Sequence, residues 1–300
     1  MGGPRRVALI IRGNDLADPI SERLEVDDDF EAVQNLYLER GWTDGLPVVP
    51  PTVERVEAML AAAPLNPQEI IGEIPPNWGS ATVEKLAVNA VMAGCRPEYL
   101  PVVIAAVEAM CDEVFNLYSI QATTHPCAPL IIVNGPICND LGLHGGSGAY
   151  GPGWQPNASI GRAVRLVQLN VGGARPGVGD MSTQGAPSKY TYCVAENEEA
   201  NPWEPLHVER GFRADQSTVT VLAGEPPHNI NDHSGSSAQD ILTIISGAIS
   251  VTGANNAYTG GETLLALGPE HAATIASDGF GKREIREWLH QNARIPLERY

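Results

Sequence analysis

Three short stretches of this sequence set cysteine, histidine and glutamate where chain direction could present them at strand ends. His125-Pro126-Cys127 directly precedes the apolar run 129–133. An imidazolium lowers a thiol pKa, and the thiolate is the nucleophile, so His125 and Cys127 form one candidate catalytic pair. Residues 190–195 alternate like a strand and run into Glu196, Glu198 and Glu199. In a strand, Cys193 and Glu199 share one face and Glu196 and Glu198 the other. Cys193 is the expected nucleophile here and Glu196 the expected acid or base. His144 is the one side chain with evident chemistry in a glycine-rich loop, and His and Glu are the usual proton-transfer groups near neutral pH.

That loop, Gly146-Ser147-Gly148-Ala149-Tyr150-Gly151, matches GxGxxG literally. The dinucleotide fingerprint needs a strand directly before its first glycine and a helix opening on its last. Here a long stretch separates strand from glycine, and Pro152-Gly153 interrupts before the helix, so the match is rejected. What survives is an anion-accepting wall. Gly146, Ser147 and Gly148 supply backbone that can approach a ligand, and the next helix would aim its free N–H groups at the loop. Asn157 reads as that helix's N-cap, and Arg162 lies on its flank. A third cluster, His228, Asp232 and His233, offers two imidazoles and a carboxylate suited to a divalent metal such as zinc or iron. The spacing matches no established metal motif, so a distant ligand (His144, Asp180 or Glu196) would have to complete it.

Positioning these groups takes a mixed architecture. Apolar spacing predicts helices over 29–40, 53–63, 81–93, 98–114, 158–171, 237–251, 270–277 and 282–292, with Asp29, Thr52 and Ser80 as starting signals. Strands are expected at 7–11, 68–74, 119–123, 129–133, 189–195, 217–222 and 263–267, with an acidic connector through residue 28. The fourth of these helices, 98–114, is apolar nearly all round, which fits burial or a subunit interface. The fold class is α/β or α+β: a mainly helical portion over 1–117, then a mixed sheet covered by helices over 118–300.

Composition narrows the partners. A net charge of −17 lacks the basic footprint that nucleic acid or an anionic membrane needs. Five cysteines, at 95, 111, 127, 138 and 193, are odd in number and include no CxxC, so no disulfide scaffold is expected. No stretch has the length of a transmembrane helix, and the short apolar run near the start is too brief for a signal-peptide core. The expected setting is cytoplasmic.

Several long segments carry a resemblance: GWTDGLPVVPPT (41–52), ATVEKLAVNAVMAGCRPEY (81–99), NASIGRAVRLVQLNVGG (157–173), SKYTYCVAENEEANPW (188–203) and LALGPEHAATIASDGFGKREIREWL (265–289). Together they resemble the UGSC-family (seleno)proteins of bacteria, in the region that accompanies that family's redox motif. The resemblance implies a link to thiol or selenol chemistry. The chain contains no Cys-Gly-Ser-Cys, and its nearest echoes, at His144 and His233, lack the cysteines, so the redox pair carries over to no residue. The leading expectation is an enzyme of lyase or hydrolase type, acting on a small polar or anionic metabolite in a Cys/His/Glu cleft beside the glycine-rich loop. Two alternatives stand beside it: a non-catalytic subunit docking a separate redox protein, and a metal-dependent enzyme using the His/Asp loop. A homo- or hetero-oligomer is expected in each case.

Overall fold

Asp29 opens the first helix as its sequence position suggests: its carboxylate accepts from the Ala32 N–H at 2.8 Å, starting α1 (Phe30–Arg40), which Gly41 ends at φ +65°. The computed structural model describes residues 6–11 and 21–299. Before α1, β1 (Arg6–Ile11) and β2 (Glu22–Asp27) pair antiparallel, so part of the expected connector is a strand; the rest of it lies outside the described residues. Thr52 caps α2 (Val53–Leu60). β3 (Ile70–Ile74) and β4 (Gly79–Thr82) form a hairpin, and Thr82 rather than Ser80 caps α3 (Val83–Ala93). The hairpin strand runs on through Thr82 before the helix opens, so Thr82 Oγ1 is the hydroxyl that accepts from the Lys85 N–H, at 3.3 Å. Then come α4 (Leu100–Met110), preceded by a short 3-10 turn, and α5 (Leu117–Ala122). Residues 119–123 were expected as a strand. They are helical because Asn116, at φ +53°, turns its side chain onto the Ser119 N–H and nucleates a turn.

The organising sheet has strand order β6-β5-β7. Its centre is β5 (Ala128–Asn134), whose apolar run is buried on both faces as such a run requires. After β5 follow α6 (Ile137–Leu141) and the long α7 (Gln155–Asn170), which leads to β6 (Cys193–Ala195), parallel to β5. β6 is shorter than expected because Pro187 sets a 3-10 turn through Lys189. β7 (Thr218–Gly224) runs antiparallel on the other side of β5. Gly161 lets α7 come close to the chain entering β6, where an added Cβ would strike Thr191 Oγ1 and the Tyr192 backbone.

The protein is α+β. Its division differs from the expected one near residue 117: one compact unit comprises Met1–Glu196 with Phe212–Pro226, the other Asn197–Gly211 with Pro227–Tyr300. The reason is packing. α3 and α4 lie against α7, and α4 also covers β7, so the early helices are the cover of the later sheet and share its core. The second unit carries α8 (Leu206–Glu209), α9 (Ala238–Ile249), α10 (Asn255–Thr259), α11 (Pro269–Ser277) and α12 (Lys282–Asn292). Ile241, Leu242, Ile245, Ile275 and Ile285 form its own core. Residues 263–267 form no strand there. Among the described residues no helix is long and apolar enough to cross a membrane.

Candidate functional site

β5 measures out the site. A strand of this length spans about 20 Å, and the expected catalytic residues fall at both of its ends. His125 and Cys127 precede it. Asn134 closes it, and Glu196 follows β6 at that same carboxyl edge, its N–H donating to Val133 O at 3.1 Å.

At the carboxyl edge the glycine-rich loop is held by backbone. The Ala195 N–H donates to His144 O at 3.2 Å. The Asn157 amide donates to the same oxygen and accepts from the His144 N–H, each at 2.9 Å. The His144 ring stacks on Trp154, with centroids 3.8 Å apart and planes 19° from parallel. Its Nε2 lies 2.9 Å from Ser147 O. A carbonyl can only accept, so Nε2 carries the hydrogen and Nδ1 of the neutral ring keeps its lone pair. A Cβ at Gly146 would press within 3.0 Å of that ring, so glycine at this position admits the stack. Nearby, the Asn134 amide donates to Glu196 Oε2 at 2.5 Å.

All five expected substrate contacts are otherwise engaged. Asn157 does not cap α7, which begins at Gln155 with Trp154 in the cap position. Both amide atoms of Asn157 clamp His144 instead. Arg162 forks onto Asp44, with Nε–Oδ2 and Nη2–Oδ1 both 2.8 Å. Burial acts to raise the Asp44 carboxyl, but Arg162's hydrogen bonds and charge override it and leave the carboxyl below its ordinary range. Ser147 presents its carbonyl to His144. Gly146 and Gly148 accept turn hydrogen bonds from Ala149 and Gly151 at 3.1 and 2.8 Å.

Cys193 opens β6 rather than closing it. It sits in register with Ile131 in mid-sheet, is 6% exposed, and its thiol is pushed far up by burial, with the neighbouring Cys138 and Cys95 thiols adding to the effect. Burial likewise raises Cys95 to about 12 and Cys111 to about 11. Sequence alternation could find the strand but not this depth within it.

At the amino edge His125 pairs with Glu225, Nε2 to Oε1 at 2.5 Å, rather than with Cys127. Burial raises the Cys127 thiol, and the Lys189 charge opposes it only in part. The expected imidazolium–thiolate pair is therefore not formed. Tyr192 OH donates to Glu225 O at 2.9 Å. Cys127 also lines a cavity of about 20 Å³, with Gln121, Gln168, Arg165, Ser188 and Lys189 among its other walls. Asp180 binds two of these: Arg165 Nη1 is 3.3 Å from Oδ2, and Lys189 Nζ is 3.1 and 2.9 Å from the two oxygens. Burial would raise the Asp180 carboxyl, but the Lys189 and Ser182 hydrogen bonds and both cationic charges hold it below its usual range.

In the second unit Asp232 forms a turn: Oδ1 accepts from the Ser234 and Gly235 N–H groups at 3.0 and 2.8 Å. Among the described residues no three His, Cys, Asp or Glu side chains converge to hold a metal, so His228, Asp232 and His233 are not assembled as a ligand set. His271, a residue that spacing had not singled out, has its Nε2 3.9 Å from Asp232 Oδ2.

No family model, curated protein or solved structure matches the chain. The geometry alone therefore carries the functional reading. It adds Asn134, Trp154, Arg165, Lys189, Gln121, Ser188 and Glu225 to the residues of interest. Of these, only Asn134 left a sequence signal, a polar residue closing a buried apolar strand.

Proposed function

We propose that this protein is a small-molecule enzyme that moves a proton on a polar or anionic metabolite at the carboxyl edge of β5 and β6. His144 Nδ1 is the base, and the Glu196 carboxyl, tied to Asn134, is the second proton-transfer group. The observation that carries this reading is the fixed tautomer of His144: Nε2–H is committed to Ser147 O, the ring is braced on Trp154, and the lone pair stays on Nδ1. A base oriented through its other nitrogen is the usual arrangement for histidine in proton transfer. The site also lies outside the carboxyl ends of parallel strands, where open α/β sheets hold ligands. Proton abstraction beside a carboxylate or carbonyl suits a lyase better than a thiol route, and the buried, protonated thiols favour the same choice. A cytoplasmic setting fits the five free cysteines. If the UGSC-family resemblance holds, a redox partner would bring its own reactive pair.

The test needs no prior substrate. The protein is incubated in D₂O with a panel of short hydroxy, amino and keto acids, and carbon-bound deuterium is followed by NMR. At least one acid should exchange, and His144→Gln should slow that exchange by about 10²–10⁴-fold, the usual worth of a positioned acid or base. Exchange at the wild-type rate in His144→Gln, or none across the panel, overturns the reading.

A further inference from the structure

We propose that the outer side of β7 is an assembly surface, where two copies of this chain pair β7 against β7 and join their three-stranded sheets into one of six. The inference rests on backbone hydrogen bonding and does not depend on the reading above.

Register decides which backbone groups are free. β7 ends the sheet, with β5 on one side and no strand on the other. The Ile131 N–H donates to Tyr192 O at 2.9 Å, and Val133 O accepts from the Glu196 N–H at 3.1 Å. Ile131 and Val133 therefore bond towards β6. Leu130, Ile132 and Asn134 bond the other way, to their partners Leu222, Thr220 and Thr218. That turns the N–H and C=O groups of Val219, Val221 and Ala223 away from β5. None of these groups has a hydrogen-bond partner among the described residues. Such a flank is a template for another strand, and proteins that keep one free guard it with Lys, Pro or a bulge. β7 has none of these: it reads TVTVLAG, and its register with β5 is unbroken. The other outer strand, β6, is three residues long, and so short an edge is its own guard.

The free groups also select the occupant. Antiparallel pairing about a twofold axis at Val221 sets Val221 opposite its counterpart and Val219 opposite Ala223. Each free residue then meets a free residue, and every outward N–H and C=O is answered. The only outer strands left are the two copies of β6, so assembly stops at two. Side chains fit the same register. Val219 and Val221 already pack on the main core from their face of the sheet, so the pairing sets valine beside valine and carries that core across the seam. A net charge of −17 opposes self-association in general, yet the seam is neutral. No charged residue lies between Asp215 and Glu225, and these two are paired with Arg213 and His125. A neutral strand that matches itself favours a second copy over a charged partner.

Sedimentation equilibrium of the full chain, joined to amide hydrogen exchange followed by NMR, tests this. The mass should be twice the 31.9 kDa of one chain. The Val219, Val221 and Ala223 amides should exchange as slowly as those of Thr220 and Leu222. Ala223→Pro is the informative variant. Ala223 is exposed and lies opposite Pro129, and its N–H takes no part in the β5 ladder, so proline there removes only outward bonds. It should weaken the dimer at least about tenfold. In the resulting monomer Val219 and Val221 should exchange at least about tenfold faster, while Thr220 and Leu222 stay protected. A wild type that is monomeric at the NMR concentration overturns the proposal, whether or not the variant folds. So does a wild-type dimer in which the three outward amides exchange freely, because it forms through another surface. A folded Ala223→Pro protein that dimerises as tightly as wild type overturns it as well.

Discussion

The two edges of the central sheet use similar residue types in opposite ways. At the carboxyl edge the polar groups answer one another: Asn157 spends its whole amide on the His144 backbone, Asn134 meets Glu196, and Ser147 O takes the imidazole hydrogen. At the amino edge the charges are gathered instead, with two cations on one acid. The comparison separates an edge tied together by amide and backbone hydrogen bonds from one tied together by charge.

The largest effect expected falls at the amino edge. Asp180→Asn removes the shared anion and leaves two buried cations together, so unfolding by urea should show a loss of about 3–5 kcal/mol. A loss below about 1 kcal/mol would mean water already screens the cluster, and the contrast between the edges would fail. The same acid sets a pH signature. Its folded pKa is depressed relative to an unfolded value near 3.9, so its stabilisation is fully present above that value and disappears as pH falls through the folded pKa. Wild-type protein should lose stability along that acid limb, and Asp180→Asn should flatten it.

A smaller effect is expected at the carboxyl edge. Asn157→Ala strips both hydrogen bonds from the His144 backbone and should cost about 2–3 kcal/mol, since the groups left behind are partly buried. The informative readout is the ¹⁵N spectrum of the His144 ring. Wild type should show the Nε2–H tautomer, and the variant a mixture. Trp154→Leu should do less, about 1 kcal/mol for the lost ring pair, while broadening the same signals. If both variants keep the wild-type tautomer, the loop positions His144 by some other means.

Much of this was legible before the fold, and the gaps have physical causes. The caps at Asp29 and Thr52, the apolar β5 and the helix Lys282–Asn292 follow from local rules, because a cap or a periodic stripe acts within one turn of chain. Depth does not. Cys193 and Glu196 are three residues apart in one stretch, yet one is mid-sheet and the other beyond its edge, because register with Ile131 is decided by β5, some sixty residues earlier. Asn157 illustrates the same limit. Its type and place suited a cap, but a tertiary partner in the loop claimed its amide. The triad of Arg165, Asp180 and Lys189 joins a helix, a loop and a 3-10 turn, and no spacing rule announces such a meeting.

The smallest expected effect concerns the thiol that lies between the edges. Cys193→Ala removes one buried sulfur from a packed sheet, a loss of about 1 kcal/mol by analogy with other small core truncations. Under the proton-transfer reading it should leave deuterium exchange within about twofold of wild type, because the thiol is raised by burial and takes no part. Stability and activity should therefore part company in this variant, whereas in His144→Gln the loss of activity comes with the loss of about 1 kcal/mol from the ring pair with Trp154. A Cys193→Ala protein that stays folded but loses exchange as fully as His144→Gln would return the thiol to the mechanism. It would also mean that the middle of the sheet opens during turnover, and the two edges would then be walls of one site rather than two.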